Sequence, residues 1–299
     1  MATFLVVFAH MYHSDSQERL YIYAFHMPFF FFVSGLFFKP VPIIAEIKRS
    51  LKKLIIPAFI FIVLSIIIHV LFFNCSLTKQ IHGSVLGLLS GKQITANNIA
   101  WFFFALANVR IIANIWYHKK FLCCILLLVI IVITWKIQTP FLFLIQSIGA
   151  LPFYLFAFYS RDLITKEASK DRGWARIVIS IFLFITTISL STLNGHTGVL
   201  GLMMGDLPLG INIIVFYVNA IIGSLLILNT ALLFNKPCNL IKVTASALIT
   251  IVGCQRIPVN MYIAYFGVNS PYYYSVPFSI IIMAICVLLH KPISKLFPK

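Results

Sequence analysis

Ten apolar segments divide this chain, near residues 2–12, 22–38, 54–73, 99–116, 121–135, 141–159, 176–193, 211–234, 244–267 and 272–290. A helix that crosses a bilayer needs roughly 20 such residues. Most of the segments approach that length. The first and fifth fall short of it, and Pro140 and Gly149 blur the borders of the fifth and sixth. The runs are continuous and do not alternate at every second residue, which selects helices over a membrane barrel. Only 10% of the 299 residues are charged and 61% are hydrophobic, with a mean hydropathy of +1.00. One soluble globule has no way to hide that much apolar surface, since soluble domains average roughly 25% charged residues. The reading is an all-α polytopic integral membrane protein of about ten transmembrane helices, the first incomplete, forming a single domain over residues 1–299.

A net charge of +16 raises the question of nucleic acid. The basic residues sit in short loops between apolar runs, which points to a lipid bilayer as the partner and away from nucleic acid. Lys39, Lys48, Arg49, Lys52 and Lys53 follow the second segment, and Lys119 and Lys120 the fourth. Arg161, Lys166, Lys170, Arg172 and Arg176 surround the loop after the sixth. Lys236 and Lys242 follow the eighth, and Lys291, Lys295 and Lys299 end the chain. The intervening loops hold only Arg19, Lys79, Lys92 and Lys136. Positive charge marks the cytoplasmic side, so both termini are expected there, as in a bacterial inner membrane. The six cysteines form no CxxC pair, so neither a zinc site nor a disulfide framework is expected. The N-terminus lacks a charged leader region and reads as a helix whose beginning is missing.

Two histidines lie inside apolar segments. His10 belongs to FLVVFAHMY, and His26 to YIYAFHMPFFFFVSGLFFK. An ionisable side chain inside a membrane helix is costly and usually faces protein or a wet cavity. With the first helix running outward and the second inward, both lie near the outer ends of antiparallel neighbours and are expected to share one cavity. The competing reading is that each only hydrogen-bonds a neighbouring helix and holds packing.

LVVFAH followed by YIYAFHMPFFFFVSGLFF resembles the opening of the acyltransferase 3 family of integral membrane O-acyltransferases, in particular its fucose 4-O-acetylase-like branch. KRSLKKLIIP, WFFFALANVRII and LPFYLFAFY agree further along, as does the run from Asn194 to Leu225. The resemblance implies acetyl transfer from acetyl-CoA, as co-substrate with no resident cofactor, to a hydroxyl of a saccharide in a cell-surface polysaccharide or its precursor. It makes His10 the family's catalytic histidine. The basic residue that precedes this histidine in the family, across ten positions, falls ahead of Met1. A longer first helix encoded upstream is therefore expected. A late histidine common in relatives is absent near Cys254 and Gln255.

Histidine suits the chemistry, because a sugar hydroxyl must lose its proton as it attacks a thioester. His10 is the candidate base, and His26 orients it, binds the acceptor or stabilises charge. All seven acids (Asp15, Glu18, Glu46, Asp162, Glu167, Asp171, Asp206) are expected in loops or at their edges, and there is no GxSxG. A hydrolase-type triad is thus poorly supported. Lys48, Arg49, Lys52 and Lys53 are candidates for the donor's phosphates, although positive-inside topology alone explains such clusters. Arg110 either snorkels or lines the donor path. Arg256, between Gly253 and Pro258, is expected at an interrupted helix whose free carbonyls pair with it, in a structural or donor-positioning role. Asp206 is the candidate acceptor-binding residue. Phe29–Phe32 and Phe102–Phe104 are expected to pack. Two rival readings fit the membrane histidines and Arg256: a small-solute transporter, and a truncated inactive acyltransferase remnant.

Overall fold

The computed structural model describes residues 1–12, 16–118, 141–170, 173–194, 212–234, 239–267 and 271–298. The described residues are helical with no strand. Three short helices open the chain: α1 (Ala2–Ala9), α2 (Gln17–Tyr23) and α3 (His26–Leu36). Then come α4 (Ile43–Ser50), a π-helical segment over Leu51–Ile55, and α5 (Ile56–Phe73). After α6 (Leu77–Ser90) and α7 (Trp101–Trp116) follow α8 (Leu144–Ala168), α9 (Trp174–Leu193) and α10 (Ile213–Ala231). The chain closes with α11 (Asn239–Ser246), α12 (Leu248–Cys254), α13 (Arg256–Phe266) and α14 (Tyr272–Ser294).

Among the described residues, five helical runs are long and apolar enough to cross a membrane: Ile43–Phe73, Asn98–Trp116, Trp174–Leu193, Ile213–Ala231 and Tyr272–Ser294. The expected segment at 121–135 lies outside the described residues. The segments that carry the histidines and Arg256 are short or broken helices. Such irregular backbone at membrane depth is tolerated where protein surrounds it or where it lines a cavity.

Each short helix is held by protein neighbours. α1 lies along α14, where the Tyr12 and Ser275 hydroxyls are 2.7 Å apart and the Phe8 and Tyr272 rings stack at 6.3 Å. α3 is the centre. Its Phe31 meets Trp101 and Phe102 of α7, confirming the expectation that these phenylalanines pack, and its Gly35 rests on α8. A Cβ at Gly35 would overlap the Tyr154 carbonyl, so only glycine allows the two backbones this close. Gly223 of α10 meets the Phe25 ring, and Gly253 of α12 meets the Phe61 ring, in the same way. Small residues at crossings are how membrane helices approach one another.

Gly35→Ala is expected to lower the thermal midpoint of the purified protein. Overpacking costs about 1–3 kcal/mol, and here the obstacle is backbone, which relaxes less easily than a side chain. A melt of Gly35→Ala that coincides with wild type would disprove the close crossing.

Polar side chains fasten the remaining joints. Asn114 of α7 accepts from the Val41 amide at 3.1 Å and donates to the Val41 carbonyl at 2.7 Å. Arg176 is buried and donates to the carbonyls of Glu167, Ala168 and Lys170, satisfying the C-terminal end of α8.

Candidate active site

The break expected near Arg256 falls at Gln255, where α12 stops and α13 begins. Its freed carbonyl takes a different partner from the one expected. Gly253 accepts from the Asn97 side-chain amide at 2.8 Å, and the same amide donates to the Ser65 hydroxyl at 3.1 Å. Arg256 itself opens α13, within electrostatic reach of His10 and Tyr23.

His10 caps the C-terminal end of α1 and is partly buried. His26 is the first residue of α3 and only 3% exposed. The two imidazoles flank one phenol ring, that of Tyr23. The Tyr23 hydroxyl lies 2.8 Å from His10 Nδ1, and the Tyr23 ring centroid lies 4.5 Å from that of His26. His26 Nδ1 donates to the Ile22 carbonyl at 3.1 Å. Arg19, from α2, covers the outer face of this group. Its guanidinium sits 4.6 Å above the Tyr23 ring and donates to the Tyr12 carbonyl at 2.9 Å. Tyr23 and Arg19 were not singled out from the sequence. By sequence Arg19 is a loop charge, whereas it lies within α2, and the i, i+3 spacing of Tyr23 and His26 is the one signal the chain offers.

The basic cluster lies beyond the other end of α3. Lys48, Lys52 and Lys53 are exposed there. Arg49 and Arg110 converge on Glu46, which is fully buried. Arg110 Nε donates to Glu46 Oε1 at 2.7 Å, Arg49 reaches Oε2 at 3.4 Å and the Ser50 hydroxyl donates to Oε1 at 3.2 Å. The loop position expected for Glu46 is therefore corrected. The helix that leads into the third apolar segment starts at Ile43, and Glu46 is the face it turns to α7. Arg110 is drawn to this carboxylate in place of snorkelling. Asp206, the expected acceptor-binding residue, lies outside the described residues.

The family model described as Acyltransferase domain matches residues 1–291. The chain belongs to the acyltransferase 3 family. It is an integral membrane acyltransferase, and it works with an acyl donor, an acceptor and the lipid bilayer. No curated protein and no solved structure matches it. Within this family member, the histidine site is a compact group of two imidazoles, a phenol and two guanidiniums, with Glu46 committed to Arg49 and Arg110 elsewhere. Imidazoles can accept a proton, and guanidiniums can stabilise negative charge.

Proposed function

We propose that this acyltransferase is an O-acetyltransferase that moves acetyl from acetyl-CoA to a hydroxyl of a saccharide, in a cell-surface polysaccharide or its precursor. It does so from a bacterial inner membrane with both termini in the cytoplasm. The observation that carries the reading is the meeting of His10 and His26 around Tyr23, with Arg19 and Arg256 alongside. Acyl transfer from a thioester to an alcohol needs one group to take the hydroxyl proton and another to hold the carbonyl oxygen as it turns anionic. The cluster supplies both without a carboxylate.

The donor enters at the basic end of the molecule in this reading. Lys48, Lys52 and Lys53 face outward on the helix that follows α3 and suit the phosphates of coenzyme A. Arg49 and Arg110 are already paired with Glu46 and frame that end. α3 spans about 16 Å at 1.5 Å per residue. An extended thioester arm bridges that interval to reach the histidines. Arg256 belongs to the transfer site in this scheme and meets the donor at its thioester end. Asp206 remains the proposed acceptor contact.

The test is transfer of labelled acetate from acetyl-CoA to saccharide acceptors by detergent-purified protein, alongside Lys48→Ala with Lys53→Ala. The double variant is expected to raise the apparent donor constant several-fold, less so at high salt, with the acceptor constant unchanged. A donor constant identical to wild type would leave these lysines as topology signals only.

A further inference from the structure

A groove of about 330 Å³ lies between α8, α9 and α10 and shares no residue with the histidine group. Sites for small ligands run from roughly 300 to 1,000 Å³. The walls are aliphatic: Ile164 of α8, Ile179 and Leu183 of α9, and Leu225, Leu228 and Leu232 of α10 and its end, each partly buried. α9 and α10 run antiparallel along it. Asn229, near the end of α10, donates to the carbonyl of Arg176, near the start of α9, at 2.9 Å. At the far ends, Asn194 accepts from the Asn212 amide at 2.8 Å. The lining of α9 runs from Arg176 to Leu183, about 10 Å at 1.5 Å per residue.

The polar lining gathers at one end. Arg176 is only 7% exposed there, and its guanidinium donates to Asn229 Oδ1 at 3.4 Å. Its hydrogen-bond partners among the described residues are all neutral: Asn229 and the carbonyls of Glu167, Ala168 and Lys170. Carbonyls at a helix C-terminus offset about half a unit charge, so part of the Arg176 charge is left unbalanced. The Glu167 carboxylate, also in the lining, is paired with Lys170. Lys166, exposed one turn beyond Leu163, adds a second cation to this rim. Two residues before Arg176, Trp174 is 81% exposed, and tryptophans favour the level where headgroups meet hydrocarbon. Beyond it, α9 exposes Val178, Ile181 and Phe182, as a lipid-facing surface requires.

We propose that this groove holds one anionic phospholipid, with its phosphate at the Arg176 end and one acyl chain laid between Leu183 and Leu225. The aliphatic walls suit a hydrocarbon chain, and the depth of Arg176 matches the place where a chain meets its headgroup. Charge selects the class of lipid. A zwitterionic headgroup would bring an ammonium to a rim that already carries Arg176 and Lys166 in excess, whereas an anionic headgroup brings none. The bound lipid bridges α8 to the α9–α10 pair.

The experiment uses the full protein, stripped of lipid in a neutral detergent, and needs no acyl transfer. Native mass spectrometry follows titration with phosphatidylglycerol and with phosphatidylcholine of the same chains. One phosphatidylglycerol is expected to bind at least about fivefold more tightly than phosphatidylcholine. Lys166→Gln, an exposed change, is expected to narrow that ratio. Ile179→Trp and Leu228→Trp fill the groove from opposite walls and leave Arg176 in place. Each, once a melt shows it folded, is expected to lose the tight phosphatidylglycerol. Location is also read without any variant. Phosphatidylglycerol with a photoreactive group in its acyl chain is expected to label α9 between Ile179 and Leu183 or α10 between Leu225 and Leu228. Equal binding of the two lipids by wild type, labelling confined to other helices, or a folded tryptophan variant that binds phosphatidylglycerol as wild type does would each overturn the proposal.

Discussion

His10→Ala is expected to abolish acetyl transfer while the protein still inserts and folds, and His26→Ala to do nearly the same. These are the largest functional effects expected. Loss of a general base costs about 10²–10⁴-fold in rate, and loss of an oxyanion donor about 10²–10³-fold. A histidine that served only packing would behave differently: yield and melting temperature would fall, and the surviving molecules would turn over normally. The measurement is therefore acetate incorporated per mole of folded, purified protein. Near wild-type turnover in both variants would refute the site.

The largest stability effect is expected at Glu46 and Arg110. Glu46→Ala leaves the Arg110 guanidinium, whose side chain is only 20% exposed, facing a hole where its carboxylate was. Breaking a buried pair from one side costs about 3–5 kcal/mol. Arg110→Ala strands the fully buried carboxylate and is expected to cost as much. Replacing both, with Glu46→Ala and Arg110→Ala in one chain, removes the unpaired charge and is expected to cost clearly less than the sum of the two single losses. Melting temperatures of the four proteins form a double-mutant cycle. A strictly additive cycle would show that the pair does not hold α4 to α7.

Much of the site was legible in the chain because membrane physics makes ionisable residues conspicuous. His10, His26 and Arg256 stood out against apolar runs, and Gly253 with Pro258 marked the helix break to within two residues of Gln255. The helical class followed from the same runs, and the resemblance carried by HMPFFFFVSG agrees with the family match over residues 1–291. What stayed hidden depends on approach between distant helices. Tyr23 looks like one more aromatic until α1 and α2 fold back and bring His10 to its hydroxyl. Glu46 sits in AEIKRS, which reads as a solvated basic stretch. Its burial follows from the path of α4 against α7. A local clue existed: Glu46, Ser50, Leu54 and Ala58 recur every four residues and are all buried, so the buried face of α5 extends back through the basic segment. Charge composition masked that period.

The π-helical turn at Leu51–Ile55 gives this region slack in length. A π-turn holds one more residue than an α-helical turn would. Deleting a single residue there would let the hydrogen bonds settle into ordinary α-helix without breaking the rod from Ile43 to Phe73. The same rotation is completed with one residue fewer, so Glu46 would keep facing Arg110 while the apolar face of α5 stayed in place. A one-codon deletion at Leu51–Ile55 is therefore a change this stretch tolerates.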